Sequence, residues 1–127
     1  MIFIRGNVPS SKNGQRWTGS RLIGSKATMR YLKESKKQWI DNKAAFLKMI
    51  EGKDFPLTIG FHFIRGSKHK YDWINPCQTV QDLMTEYGWI EDDNTTIMLP
   101  VPYKIDEKFD SYDKDCPGVQ IKLIDVL

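Results

Sequence analysis

The sequence predicts an α/β domain of the α+β kind: one two-layer unit with two main helices on a mixed β-sheet. Three observations predict it. Strand-like and helix-like segments mix along the chain, and some connections are tight. Residues 57–65 (LTIGFHFIR) place Leu57, Ile59, Phe61 and Phe63 on one face by period two. Two longer segments repeat apolar residues at helical spacing. With 127 residues, 40% hydrophobic and 12% aromatic, residues 1–127 make a single domain, large enough for one core and too short for two.

The elements follow in order. Residues 1–5 (MIFIR) alternate as a strand, and residues 6–14 (GNVPSSKNG) are rich in loop formers. Residues 16–24 (RWTGSRLIG) suit a small hairpin turning at Gly19. Ser25 is placed to cap a long helix reaching about Glu51, with Met29, Leu32, Trp39, Ile40, Leu47 and Ile50 as its apolar stripe. Its other face carries Arg30, Lys33, Lys37 and Lys48, and Gly52 stops it. After the 57–65 strand, residues 66–70 form a basic turn. Asn75 then suits an N-cap, and Pro76 the first position of a second helix. Cys77, Val80, Leu83, Met84 and Tyr87 give its apolar face, and Gly88 closes it. Residues 95–101 read as a strand, 105–118 as an acidic loop and 119–126 as a last strand.

Charge is distributed unevenly. The net charge is only +3, but residues 1–70 hold 15 Lys/Arg against 4 Asp/Glu, and residues 71–127 hold 4 against 12. A basic half could draw a polyanion and an acidic half a cation, an asymmetry that hints at nucleic acid; the alternative is a solvated basic helix plus an acidic loop. No apolar run approaches the ~20 residues that span a bilayer. With no secretory signal pattern either, a cytoplasmic protein without a membrane partner is expected. Cys77 and Cys116 form no CxxC pair, and His62 and His69 lack Cys partners at zinc spacing, so ordinary reduced thiols are expected. Residues 106–115 (DEKFDSYDKD) lack the ligand spacing and central glycine of a calcium loop.

The carboxylates flanking the second helix are the chemical signal. Asp72 precedes the helix, and Asp92 and Asp93 lie about twenty residues later. A helix over residues 76–87 climbs ~18 Å. Five extended residues beyond Gly88 return at most ~17 Å. If the chain doubles back, the acidic pair comes to the helix N-terminus beside Asp72. Clustered carboxylates suit Mg²⁺ or Mn²⁺. Lys68, His69 and Lys70, just before Asp72, supply the cations that a phosphate backbone needs beside such an ion.

Residues 71–94, YDWINPCQTVQDLMTEYGWIEDDN, resemble the core of the RusA family of Holliday junction resolvases, common in prophages. Asp72, Asn75, Asp82, Gly88, Trp89, Asp92 and Asp93 match that core in order and without gaps. The stretch 8–13 (VPSSKN) resembles the family's N-terminal loop, and the 57–65 strand falls where the family has one. About three quarters of the chain is covered, with the helix and Asp-Asp segment as the specific part. The resemblance implies a homodimeric, Mg²⁺-dependent endonuclease, bacterial or phage-encoded, that resolves four-way junctions by paired nicks in recombination and repair. It implies Asp72 and Asp93 as metal ligands, Asp92 as a further ligand or outer partner, Asn75 as the residue orienting the motif and Asp82 as a structural helix residue.

Two positions depart from the family pattern. Ile74 stands where the resemblance expects a second Asp, and Gln78 where it expects a catalytic Lys. Fewer carboxylates lower metal affinity, and a missing Lys removes a cation at the scissile phosphate. Lys68 or Lys70 from the preceding turn is the candidate substitute. Ile74 suits a helix start if it packs into the core. The alternative reading is a catalytically weak or inactive junction-binding accessory protein of the same fold. Lys12, Asn13, Arg16, Trp17, Lys68 and Lys70 are the expected DNA contacts, joined by Arg21 and Lys26, with Trp17 near a groove or stacking on an exposed base.

Overall fold

A computed structural model of the chain describes residues 1–9, 15–17, 22–24 and 26–124, without the side chains of 15–17 and 22–24. The element order is β1 (Ile2–Arg5), β2 (Gln15–Trp17), β3 (Leu22–Gly24), α1 (Lys26–Met49), β4 (Leu57–Arg65), α2 (Ile74–Glu86), β5 (Met98–Pro102), β6 (Asp110–Tyr112) and β7 (Gly118–Leu123). The fold is α+β: a five-stranded mixed sheet with two helices. β2 and β3 pair antiparallel as a separate ribbon, Arg16 opposite Ile23. The expected turn at Gly19 and cap at Ser25 lie outside the described residues, as do Lys12 and Asn13.

The period-two strand is the centre of the sheet, whose order is β1-β7-β4-β5 with β6 also on β4. Register explains the core. Ile2 pairs with Ile121, which pairs with Phe61, which pairs with Pro102. In the next row Ile4 pairs with Val119, which pairs with Phe63, which pairs with Asp110. Residues directly opposite each other share a face, so these rows stack the apolar side chains into one layer. Ile4, Phe61, Phe63, Val119 and Ile121 are fully buried there. Close approach tightens it at Gly118, where a Cβ would lie 2.5 Å from the Ile4 carbonyl oxygen.

The other face of β4 carries Gly60 and His62. A Cβ on Gly60 would meet the Tyr103 ring at 2.5 Å. His62 is fully buried, with Nδ1 2.9 Å from the Tyr103 carbonyl and Nε2 2.7 Å from Ser111 Oγ. A carbonyl only accepts, so Nδ1–H donates to it, and Nε2 pairs with the Ser111 hydroxyl. This ring fixes the chain after β5 to β6. β6 is the strand missing from the expected acidic loop. It has only three residues, and its parallel pairing with β4 comes from tertiary placement, not from a periodic pattern.

The buried stripe of α1 differs from the expected one. Thr28, Tyr31, Ser35, Trp39 and Phe46 are buried, with Leu32, Met49 and Ile50 packed beside them. Met29, Ile40 and Leu47 point to solvent. Two small polar residues occupy core positions because the helix packs through its aromatics: Trp39 Nε1–H donates to the buried Ser35 Oγ at 3.1 Å. Gln38 covers the free edge of β1, accepting from Arg5 N at 2.7 Å and donating to Arg5 O at 3.0 Å. An unpaired strand edge is a template for aggregation, and this side chain blunts it. The basic outer face is partly neutralised by exposed Arg30–Glu34 and Lys37–Asp41 pairs.

α2 ends as its glycine requires. Gly88 has φ +75°, Gly88 N–H donates to Thr85 O and Trp89 N–H to Met84 O. That is a Schellman motif, with buried Trp89 and Met84 giving its apolar contact. Trp89 then stacks on Phe46 (centroids 5.1 Å, 27°), meets Trp39 at 5.1 Å and donates Nε1–H to Trp39 O at 2.8 Å. No helix among the described residues is long and apolar enough to cross a membrane.

Candidate metal and nucleic-acid site

The start of α2 is set by Asp72. Its Oδ1 accepts the Ile74 N–H at 3.2 Å and its carbonyl accepts the Asn75 N–H at 3.0 Å. The helix therefore begins at Ile74 with Trp73 at the N-cap position, not at Asn75. Pro76 still lies in the first turn, where a missing N–H costs nothing. Asn75 is half-buried. Ile74 does not pack into the core: it is 67% exposed, on a first turn that carries no acidic residue.

Asp92 and Asp93 follow the Gly88 reversal and take different roles. Asp92 is turned into its own loop, accepting from Asp93 N at 2.8 Å and Asn94 Nδ2 at 3.0 Å. These bonds, the Asn94 amide first, hold its pKa below the usual carboxylate value. Asp93 points at α2. Its Oδ2 accepts from Gln78 Nε2 at 2.9 Å, and the same nitrogen donates to Asp82 Oδ1 at 2.8 Å. Gln78 and Asp82 lie one turn apart on the helix. The chain thus folds back to the middle of α2. Two carboxylates from separated segments meet across one neutral amide.

The electrostatics follow. Loss of solvent around Asp82 raises its pKa first, the charge of Asp93 raises it further, and the Gln78 hydrogen bond opposes both. Neither carboxylate has a basic partner among the described residues. Among those residues no three His, Cys, Asp or Glu side chains converge as a ready-made metal cluster. Lys68, His69 and Lys70 are exposed on the turn before Asp72, and Lys68 Nζ lies 5.0 Å from the Tyr112 ring centroid. Arg16 is on β2, but its side chain and that of Trp17 lie outside the described residues.

Gln78→Ala tests this reading of the pair. Asp82 loses the donor that favours its charged form and keeps the repulsion of Asp93, so its pKa moves further up. A raised folded-state pKa means stability present below the unfolded value and lost as pH rises through the folded one. The substitution therefore costs more stability at neutral pH, where Asp82 is ionised, than at low pH, where Asp82 is protonated. Carboxyl-carbon NMR titration of Asp82 without divalent metal measures the shift; an unmoved or lowered Asp82 pKa contradicts the bridge.

Sequence reasoning placed Asp82 in the helix as a structural residue and missed its partnership with Asp93. The signal was present in the Gln78–Asp82 spacing of four. It also missed Tyr71 and Trp73, whose rings lie against Phe63 and Phe61. Tyr71 meets Phe63 edge-on at 6.5 Å, and Trp73 lies 6.4 Å from Phe61 and 6.1 Å from Phe63. Cys77 is buried in the core, and burial pushes its thiol up to about 12, so it is an inert thiol. Compared with known proteins, the chain matches no family model. No curated protein matches it either.

Proposed function

We propose that the chain is a Mg²⁺- or Mn²⁺-dependent, structure-selective DNA endonuclease of the RusA kind, cutting four-way junctions by paired nicks. The observation that carries this reading is the meeting of Asp82 and Asp93 across Gln78. Two carboxylates are hard oxygen donors of the class that holds these ions, and Gln78 turns its Nε2, not its oxygen, toward both. Their mutual repulsion, unrelieved by any described basic side chain, is what a divalent cation would remove. The residues therefore fit the ion. Asp93 and Asp82 would hold it, with Asp72 at the helix start and Asp92 bracing the loop that presents Asp93. Bound there, the ion supplies positive charge against a phosphodiester and activates water.

The chain's own residues do the rest. Lys68 and Lys70 attract the phosphate backbone, and Lys70, two residues before Asp72, is the candidate cation at the scissile phosphate in place of the Lys that Gln78 replaces. Asn75 lies in the first turn that presents the motif. Lys12, Asn13, Arg16 and Trp17 extend the DNA contact from the N-terminal segment. A homodimer fits a substrate of two-fold symmetry that needs two symmetric cuts. A cytoplasmic, bacterial or phage setting, acting in recombination and repair, belongs to the same proposal.

Exposed Ile74 and neutral Gln78 favour a second reading, a junction-binding accessory protein without nuclease activity. The test is a labelled synthetic four-way junction incubated with the protein and Mg²⁺ or Mn²⁺. Cleavage that exceeds duplex cleavage supports the enzyme. Tight, junction-selective binding without cleavage in either metal supports the accessory protein. Equal treatment of junction and duplex removes both.

Ile74→Asp separates them further. The position is exposed, so the fold loses nothing, and a negative charge in the first helical turn gains ~0.3–1 kcal/mol from the helix dipole. Under the nuclease reading the variant also gains a carboxylate beside Asp72. Mn²⁺ affinity by calorimetry then rises about tenfold, ~1.4 kcal/mol, and cleavage rises with it. A more stable variant with unchanged Mn²⁺ affinity counts against a metal site at this helix start.

A further inference from the structure

Beside this site, on the helix face of the sheet, an open cleft of about 380 Å³ is lined by Tyr71, Trp73, Pro102, Phe109 and Asp110. It arises where the neighbour of β4 changes from β5 to β6. Pro102 and Asp110 continue the Phe61 and Phe63 rows outward, and Tyr71 and Trp73 lie over those phenylalanines. The chain between the strands leaves Phe109 at the rim, 52% exposed. A second groove of about 240 Å³ continues from it, sharing Tyr71 and Asp110, and its walls include Arg65, Lys68, His69 and Lys108. Three cations lie over aromatic rings of the two depressions. Lys104 is 5.2 Å from Phe109, Arg65 is 4.6 Å from Tyr71, and Lys68 is 5.0 Å from Tyr112.

The geometry points to a binding site for an unpaired nucleotide: the base enters the aromatic cleft beside Phe109, and its phosphate lies on the basic groove. Apolar rings followed by cations, in that order along one depression, match the two halves of a nucleotide and of nothing purely anionic or purely apolar. Sequence-tolerant single-strand binding uses this combination of stacking rings and a positive track. Asp110 at the boundary adds a preference. A carboxylate accepts from the amino edge of a base, as it does from cytosine N4, and gains nothing from thymine. The site shares its nucleic-acid ligand and Lys68 with the proposed function, and binding here requires neither a divalent ion nor a junction.

The experiment measures fluorescence anisotropy of labelled short oligo(dC), oligo(dT) and an abasic strand of equal charge, in EDTA. The expected order of affinity is oligo(dC), then oligo(dT), then the abasic strand. Phe109→Ala lowers oligo(dC) affinity roughly 5- to 100-fold and leaves abasic-strand affinity unchanged, and Phe109→Trp restores it. Phe109 is exposed, so the fold is retained, which a melting curve verifies. Equal affinity for the abasic strand, an unaffected Phe109→Ala protein, or equal competition by a polyglutamate peptide overturns the proposal. Because EDTA suppresses cleavage, loss of the base preference in a protein that still cuts junctions with Mg²⁺ removes this site alone. A retained preference without junction cutting removes the nuclease reading alone.

Discussion

Trp89→Ala brings the domain to the edge of unfolding. Deleting a fully buried tryptophan costs ~3–5 kcal/mol, against a total stability of ~5–15 kcal/mol for a domain. Three losses coincide here: the stack on Phe46, the contact with Trp39, and the Nε1–H hydrogen bond to the Trp39 carbonyl. Trp89 joins the two helices, since Trp39 and Phe46 belong to α1 and Trp89 directly follows the end of α2. The melting temperature falls by roughly 10 °C or more. Trp89→Phe keeps a ring against Phe46 and loses the Nε1–H donor, while the Trp39 carbonyl keeps its partner within α1, so it costs less, ~0.5–1.5 kcal/mol for the hydrogen bond plus the smaller ring. Circular dichroism melts of the three proteins check the order. A Trp89→Ala melt within a degree or two of the parent contradicts the packing. The same side chain fixes where the chain goes after Gly88, and so aims Asp93.

The elements legible in the sequence are those whose local pattern agrees with their tertiary role. The 57–65 strand alternates because its Leu57, Ile59, Phe61 and Phe63 face a single core. Gly88 marked the end of α2 because the helix closes through a left-handed residue that glycine supplies at no steric cost. The face of α1 was hidden because Thr28 and Ser35 take core positions that hydrophobicity does not mark, while Met29, Ile40 and Leu47 stay outside. A stripe drawn through Tyr31, Trp39 and Phe46, the three large aromatics, finds the right face. β6 was illegible because three residues reading Asp-Ser-Tyr carry no strand period, and β4 and His62 hold them in place. In the candidate site, the return of the acidic pair to α2 followed from helix rise and chain reach. Its landing point did not. Asp93 alone of the pair meets Gln78, and across it Asp82, at mid-helix, because the reversal at Gly88 is locked by Trp89 before the chain extends back. The aromatic cleft joins Tyr71 and Trp73 to Phe109 and Asp110, more than thirty residues apart in sequence, and no local pattern links them.

Under the proposed nuclease function, Asp93→Asn lowers junction cleavage strongly while leaving the fold and the junction binding in place. The substitution is isosteric, and an asparagine carbonyl still accepts the Gln78 amide, so the loop stays docked. Removing one negative charge near the phosphates keeps or tightens DNA binding. What disappears is one of two carboxylates available to a divalent ion, and cleavage falls on the order of 10²–10³-fold, as for other groups that stabilise charge at the reacting centre. A second readout needs no activity. The charge of Asp93 helps raise the Asp82 pKa, so in Asp93→Asn the Asp82 carboxyl titrates at lower pH than in the parent. Carboxylates hold metal in the ionised form. Under the same proposal, cleavage by the parent declines with acidification at a higher pH than an unperturbed aspartate would give. Asp93→Gln carries the same charge change with a longer arm that displaces the Gln78 contact, and it destabilises the loop as well. If Asp93→Asn cuts junctions at the parental rate and Asp82 titrates unchanged, the two carboxylates do not act together in solution. If Asp82 shifts while no protein in the series cuts, the pair stands as a structural bridge on α2 and the junction-binding reading takes precedence over the nuclease.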